Sequence, residues 1–122
     1  MKEKWADGPI TYLGLAVNGF PNLFTITGPG SPSVLSNMPR SIEQHVEWIG
    51  QCINFIKKNN FKSIEASKNA ANLWISEVNS LANETLLPKA KHSWYLGANI
   101  PGKPRVFMPY AGGLPKYRKK CD

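Results

Sequence analysis

Leu23-Phe24-Thr25-Ile26-Thr27-Gly28-Pro29-Gly30-Ser31-Pro32-Ser33-Val34-Leu35-Ser36-Asn37-Met38-Pro39-Arg40-Ser41-Ile42 carries a run of β-formers through glycine and proline into the start of a helical pattern. Residues 23–27 read as a buried strand, because five β-prone side chains stand between two turn signals. Residues 28–40 then form a loop. The carboxyl end of a strand, a permissive glycine loop and a helix N-terminus make a place where ligands bind in open α/β sheets. The helix end offers unpaired N–H groups and partial positive charge to an anion or an electron-rich ring edge. Glycines allow close backbone approach there. The pattern alone leaves a ligand loop and a plain strand-to-helix connection equally open. It lacks the third glycine of a dinucleotide fingerprint, and no Gly-Lys-Ser/Thr follows as in a P-loop.

Downstream, the periodicity predicts a helix over 41–58. Ser41 is placed to cap it and Gln44 to complete a capping box. Ile42, Val46, Ile49, Ile53 and Ile56 recur at steps of four and three, which draws one apolar stripe. A second helix is expected over 63–87, with Ala66, Ala70, Trp74, Val78 and Leu81 as its stripe and Pro88 ending it. Trp48 and Trp74 read as core aromatics. A polar loop fills 89–104. Arg105 to Tyr110 reads as a short edge strand, and a basic tail ends the chain.

The resulting fold class is α/β: one buried strand, a glycine loop, two long helices, a long loop and a short edge strand. A single buried strand needs neighbours that this stretch does not encode. The 122 residues therefore read as one incomplete segment.

The formal net charge is +7. From Glu84 onward eight cations, Lys89, Lys91, Lys103, Arg105, Lys116, Arg118, Lys119 and Lys120, face only Glu84 and Asp122. Such a tail suits a nucleic acid, an acidic membrane surface, a phosphorylated cofactor, or simply solvent on a larger protein. No apolar run is long enough to span a membrane and no signal-peptide core opens the chain, so a cytoplasmic protein with two free thiols, Cys52 and Cys121, is expected. His45 and His92 lack partners at metal or triad spacing, and no metal site is expected.

The segment from Gly28 to Met38, followed by Ser41-Ile42-Glu43-Gln44-His45-Val46-Glu47-Trp48, resembles the Baeyer–Villiger monooxygenases of the cyclohexanone and phenylacetone type. The likeness extends to Lys4-Trp5-Ala6-Asp7-Gly8-Pro9, Gly19-Phe20-Pro21-Asn22, Ser93-Trp94-Tyr95, Gly97-Ala98-Asn99 and Pro101-Gly102-Lys103-Pro104-Arg105-Val106, in the same order. Arg40 departs from the pattern, which has an apolar residue there.

The resemblance implies the C-terminal part of a flavoprotein with two dinucleotide-binding domains. Residues 1–60 would close the FAD-binding domain. Residues 61–122 would add the second helix, the cofactor-covering loop and the tail. Family members use FAD and NADPH to insert one atom of molecular oxygen next to a ketone carbonyl, giving an ester or lactone.

By the same resemblance Met38 and Asn37 lie against FAD. Trp94, Asn99 and Lys103 cover NADP. Ser33, Val34 and Leu35 line the substrate pocket. The residues assisting the oxygen chemistry fall outside this stretch, so no catalytic residue is assigned and the isolated chain is expected to be inactive. Partners are a ketone and oxygen, with no nucleic acid or membrane. The alternatives are a sister flavin monooxygenase acting on nitrogen or sulfur, and a small basic nucleic-acid-binding module.

Overall fold

A computed structural model describes residues 1–89, 93–97, 101–102 and 104–122, with Val34 and Leu87 described by backbone alone. Three α-helices carry the structure: α1 over Met38–Lys58, α2 over Lys68–Asn83 and α3 over Leu114–Cys121. Single 3-10 turns occupy Ser33–Leu35, Leu87–Lys89 and Trp94–Leu96.

α1 begins three residues before the expected start. Asn37, not Ser41, is its cap: the Asn37 side chain accepts from the Arg40 N–H at 3.2 Å. Pro39 then sits in the first turn, where its missing N–H costs nothing. Ser41 is buried one turn in, and its hydroxyl bonds that of Ser36. Lys57 and Lys58 close the helix against its negative end.

α2 is shorter than the expected 63–87. Ser67 caps it through the Ala70 N–H. Residues 62–66 are claimed by the N-terminal region instead. The Asn22 N–H donates to Ile64 O at 2.9 Å, the Ile64 N–H to Asn22 Oδ1 at 3.1 Å, and Asn18 Nδ2 to Ala66 O at 3.0 Å. At the far end Thr85 turns the chain by bonding Ala82 O with both its N–H and its hydroxyl.

Neither expected strand forms a ladder among the described residues. Around Leu23–Thr27, Phe24 makes one antiparallel pairing with Ala16, and the Thr25 N–H bonds Leu15 O at 2.9 Å. Asn22 and Thr27 are left-handed at φ 61° and 53°, which cuts the extended stretch short. The backbone it pairs with is a tight turn through Leu13 and Gly14, beside which a ladder does not continue. Arg105–Tyr110 is extended, but it too bonds turn residues. The α/β expectation thus gives way, within this stretch, to helices held by irregular backbone.

The main core gathers Leu13, Leu15, Trp74, Val78, Tyr110 and Tyr117. Trp74 stacks on Tyr110 with ring centres 5.1 Å apart, and Tyr117 tilts against both. The Tyr117 hydroxyl donates to Leu13 O at 2.6 Å, and the Trp48 indole N–H to Cys121 O at 2.9 Å. α3 is thereby sewn to both the N-terminal turn and α1. A smaller cluster joins Ala82, Leu96 and Phe107. Cys52 and Cys121 are free thiols. Among the described residues no helix is long and apolar enough to cross a membrane.

Candidate functional site

The glycine loop is clamped from several sides. The Trp74 indole N–H donates to Gly30 O at 3.1 Å from α2. The Thr11 hydroxyl donates to Pro29 O at 2.6 Å and itself accepts from the Gly14 N–H. A side chain at Gly14, where φ is +69°, would put its Cβ 2.6 Å from Ser31 N. One at Gly30, φ +87°, would press within 3.0 Å of Trp74 Nε1. Both glycines are therefore needed for the close approach of three segments.

The extended segment 104–110 then ties this loop to the one bearing Trp94. The Gly30 N–H donates to Met108 O at 2.6 Å, the Tyr110 N–H to Ser31 O at 2.7 Å, and the Met108 N–H to Tyr95 O at 3.0 Å. Between them lies a cleft of about 160 Å³ lined by Thr27, Gly28, Pro29, Ser33, Trp94, Tyr95, Met108 and Pro109. Trp94 leans on Tyr95 with ring centres 4.3 Å apart and remains 54% exposed.

Ser33 and Trp94, read from separate stretches of sequence, meet in this cleft. Leu35 packs instead on the Leu96–Phe107 cluster behind it. Met38 is half-buried at the first turn of α1, and Asn37 spends its side chain on the cap. The side chain of Val34 and the whole of Asn99, Lys103 and His92 lie outside the described residues. Thr27, Tyr95, Met108 and Pro109 went unassigned from sequence.

Among the described residues no carboxylate, imidazole or ammonium lines the cleft. Its described lining is mostly apolar, with the hydroxyl-bearing residues Thr27, Ser33 and Tyr95 available for orientation. Its size fits the edge of a ring or a small ketone, not a whole dinucleotide. A larger cleft of about 570 Å³, with Asn79, Asn83, Lys89 and Arg105 on its walls, holds none of the sequence-predicted site residues that are described.

His45 lies behind the loop, buried in α1, and its Nδ1 accepts from the Thr27 N–H at 3.1 Å. That places its proton on Nε2, which has no partner among the described residues. Burial lowers its pKa from the ordinary 6.5. The imidazole is a neutral brace for the loop. Part of the late positive charge is used inside the fold, where Arg118 pairs with Glu47 at 3.8 Å and Lys120 with Glu77 at 3.0 Å.

No protein-family model matches the chain. It is 47% identical over 118 residues to the cyclohexanone 1,2-monooxygenase of an Acinetobacter species, a match covering 97% of this chain and 21% of that protein. A Baeyer-Villiger monooxygenase of Pseudooceanicola batsensis is 42% identical over the same shares. The phenazine N-monooxygenase PhzNO1 of Lysobacter antibioticus is 42% identical, covering 98% of this chain and 22% of that one. The crystal structure of cyclohexanone monooxygenase from Rhodococcus sp. Phi1 bound to NADP+ superposes with a TM-score of 0.93 at 37% identity, over 98% of this chain and 22% of that one. The fold is that of a segment of the flavoprotein monooxygenases. Within that class the chain is homologous over its whole length to the Baeyer–Villiger monooxygenases, and it spans about a fifth of their length.

Proposed function

We propose that this chain supplies the substrate-facing wall of an FAD- and NADPH-dependent monooxygenase that inserts one atom of molecular oxygen beside a ketone carbonyl. The observation that carries the reading is the apolar cleft where Ser33 and Trp94 meet. FAD, when bound, supplies the redox chemistry with NADPH and oxygen. This chain's residues do the holding. Ser33 and Thr27 orient a polar group, and Met108 and Pro109 wall the hydrocarbon part; family likeness assigns Val34 to the same pocket. Leu35 backs the wall through Leu96 and Phe107. Trp94, with its half-exposed indole, covers the NADP side together with Asn99 and Lys103 and keeps water out. Met38 and Asn37 set the positive end of α1 towards FAD, where negative charge on the reduced ring is stabilised. Residues 1–60 close the FAD-binding domain in this reading, and residues 61–122 form the cover.

The test is a chimera in which this chain replaces its homologous segment in the Acinetobacter cyclohexanone monooxygenase. The expected result is NADPH oxidation that depends on a cyclic ketone and yields a lactone. Trp94→Ala should lower kcat/KM for NADPH about tenfold, the effect of about 1.4 kcal/mol. A chimera that retains FAD and oxidises an aromatic amine but no ketone would favour nitrogen chemistry, which the phenazine-oxidising relative keeps in view. The isolated chain should neither retain FAD nor consume NADPH.

A further inference from the structure

The extended segment 104–110 walls two clefts at once. Met108 and Pro109 line the cleft of Ser33 and Trp94, while Arg105 and Phe107 line the larger one of about 570 Å³. The turn at Trp94–Leu96 divides the same way, with Trp94 and Tyr95 on the first cleft and Leu96 on the second. The floor of the larger cleft is buried and apolar, made by Leu96 and Phe107 with Ala82 from α2. Its rim is polar. Asn79 and Asn83 stand one turn apart on α2, and Lys89 and Arg105 are exposed cations. No carboxylate is among the described lining residues. The Ala82 carbonyl, close to the negative end of α2, already accepts both the N–H and the hydroxyl of Thr85.

The geometry points to this larger cleft as a second binding site, for a small organic carboxylate with an apolar body, such as a medium-chain fatty acid anion. Charge and shape each favour that class. Two cations and two carboxamides offer N–H donors along the rim, and a guanidinium meets a carboxylate through two parallel bonds. Arg105 is also engaged within the chain, and its five N–H donors serve more than one acceptor. The floor supplies apolar surface that a bare inorganic anion would leave unused. The volume is that of a small-molecule site. The cleft of Ser33 and Trp94 gives the contrast. Its described lining carries no charged side chain, so an uncharged ligand and a carboxylate are sorted to two sides of one wall. The assignment stands on the lining of the larger cleft and not on the monooxygenase reading.

The experiment titrates octanoate, 1-octanol and inorganic phosphate, followed by NMR, into the 122-residue chain and into the chimera with the Acinetobacter enzyme. Octanoate should bind with a Kd on the order of 1 mM or tighter. It should bind about tenfold more tightly than octanol, which lacks the charge, and than phosphate, which lacks the apolar body. Lys89→Gln with Arg105→Gln should weaken octanoate about tenfold and leave octanol unchanged. Asn79→Trp, which fills the cleft from an exposed position, should weaken octanoate without removing a charge. Lys119→Gln, at an exposed cation outside the cleft, should change nothing. Octanoate that binds no better than octanol, or equally well to the double variant, would overturn the inference. So would phosphate bound as tightly as octanoate, or an equal loss in Lys119→Gln. The chimera decides: octanoate held by the isolated chain but not by the chimera would mean that the rest of the enzyme fills the cleft, and the site would be lost. Ketone turnover is not a readout, so a chimera that binds octanoate and oxidises no ketone keeps the site and sinks the proposed activity alone.

Discussion

α1 and α2 are built to the same recipe and end in different places. Each has a side-chain cap, a stripe of apolar residues at steps of three and four, and a polar opposite face. α2 turns Ala71, Trp74, Val78 and Ala82 into the core. α1 turns Ser41, Gln44 and His45 inward and leaves its isoleucines outside. Amphipathic patterning specifies that a helix has a side to bury, and the neighbours encoded elsewhere decide which side meets them. α2's neighbours, the N-terminal turn and the Tyr110–Tyr117 pair, are all in this chain. Ile42, Val46 and Ile53 of α1 touch none of these and stay exposed.

The sharpest way to break this contrast is Trp74→Ala. It removes a buried ring, its stack on Tyr110 and its bond to Gly30 O. The expected cost is about 3–5 kcal/mol by chemical denaturation, enough to unfold a marginal domain. Removing the Tyr117 hydroxyl comes next. Tyr117→Phe leaves Leu13 O buried without that donor, at about 1–2 kcal/mol. The two caps should be equal, since each satisfies one N–H whatever the helix buries. Asn37→Ala and Ser67→Ala should each cost about 1 kcal/mol, and a clear inequality would show that one helix is held mainly by something else.

A conditional effect separates the helices by pH. His45 is held neutral in the fold, below its ordinary 6.5, while in the unfolded chain it protonates at that value. Its contribution is therefore fully present above about pH 6.5 and declines as the pH falls below it. Protonation would also turn Nδ1 from acceptor to donor against the Thr27 N–H. Denaturation midpoints measured from pH 8 to 5 should fall on the acid side, and His45→Gln should flatten that fall. The smallest effect belongs to the stripe itself. Val46→Ala in the isolated chain should stay within about 0.5 kcal/mol of the parent, and a large loss would mean that the stripe is buried in solution after all.

Much of this was legible from residue order, for reasons that differ by element. The α2 stripe could be read because pattern and burial coincide at Trp74 and Val78. The α1 helix could be read, but not its orientation, because its buried contacts run through Ser41, Gln44 and His45 and not through its apolar stripe. Its start was misplaced because Asn37 and Ser41 are both good caps, and Pro39, which favours Asn37, looks equally at home in a loop. Leu23–Thr27 has strand chemistry without a strand's neighbours, so the backbone takes one pairing and turns. In the cleft, Ser33 and Trp94 were found through family likeness. Met108 and Tyr95 were not, since their place depends on backbone bonds between distant loops that no local pattern announces.

The bond from Tyr117 to Leu13 spans 104 positions. Closing so long a loop carries an entropic toll that must be met before its contacts repay it. The centre of this fold therefore cannot be completed until α3 has left the ribosome. Until then Trp74 and Tyr110 lack their third ring, and a nascent chain arrested before Leu114 should be quickly cut by protease at sites that the finished chain protects. α3 works as a latch that closes over the rings already in place.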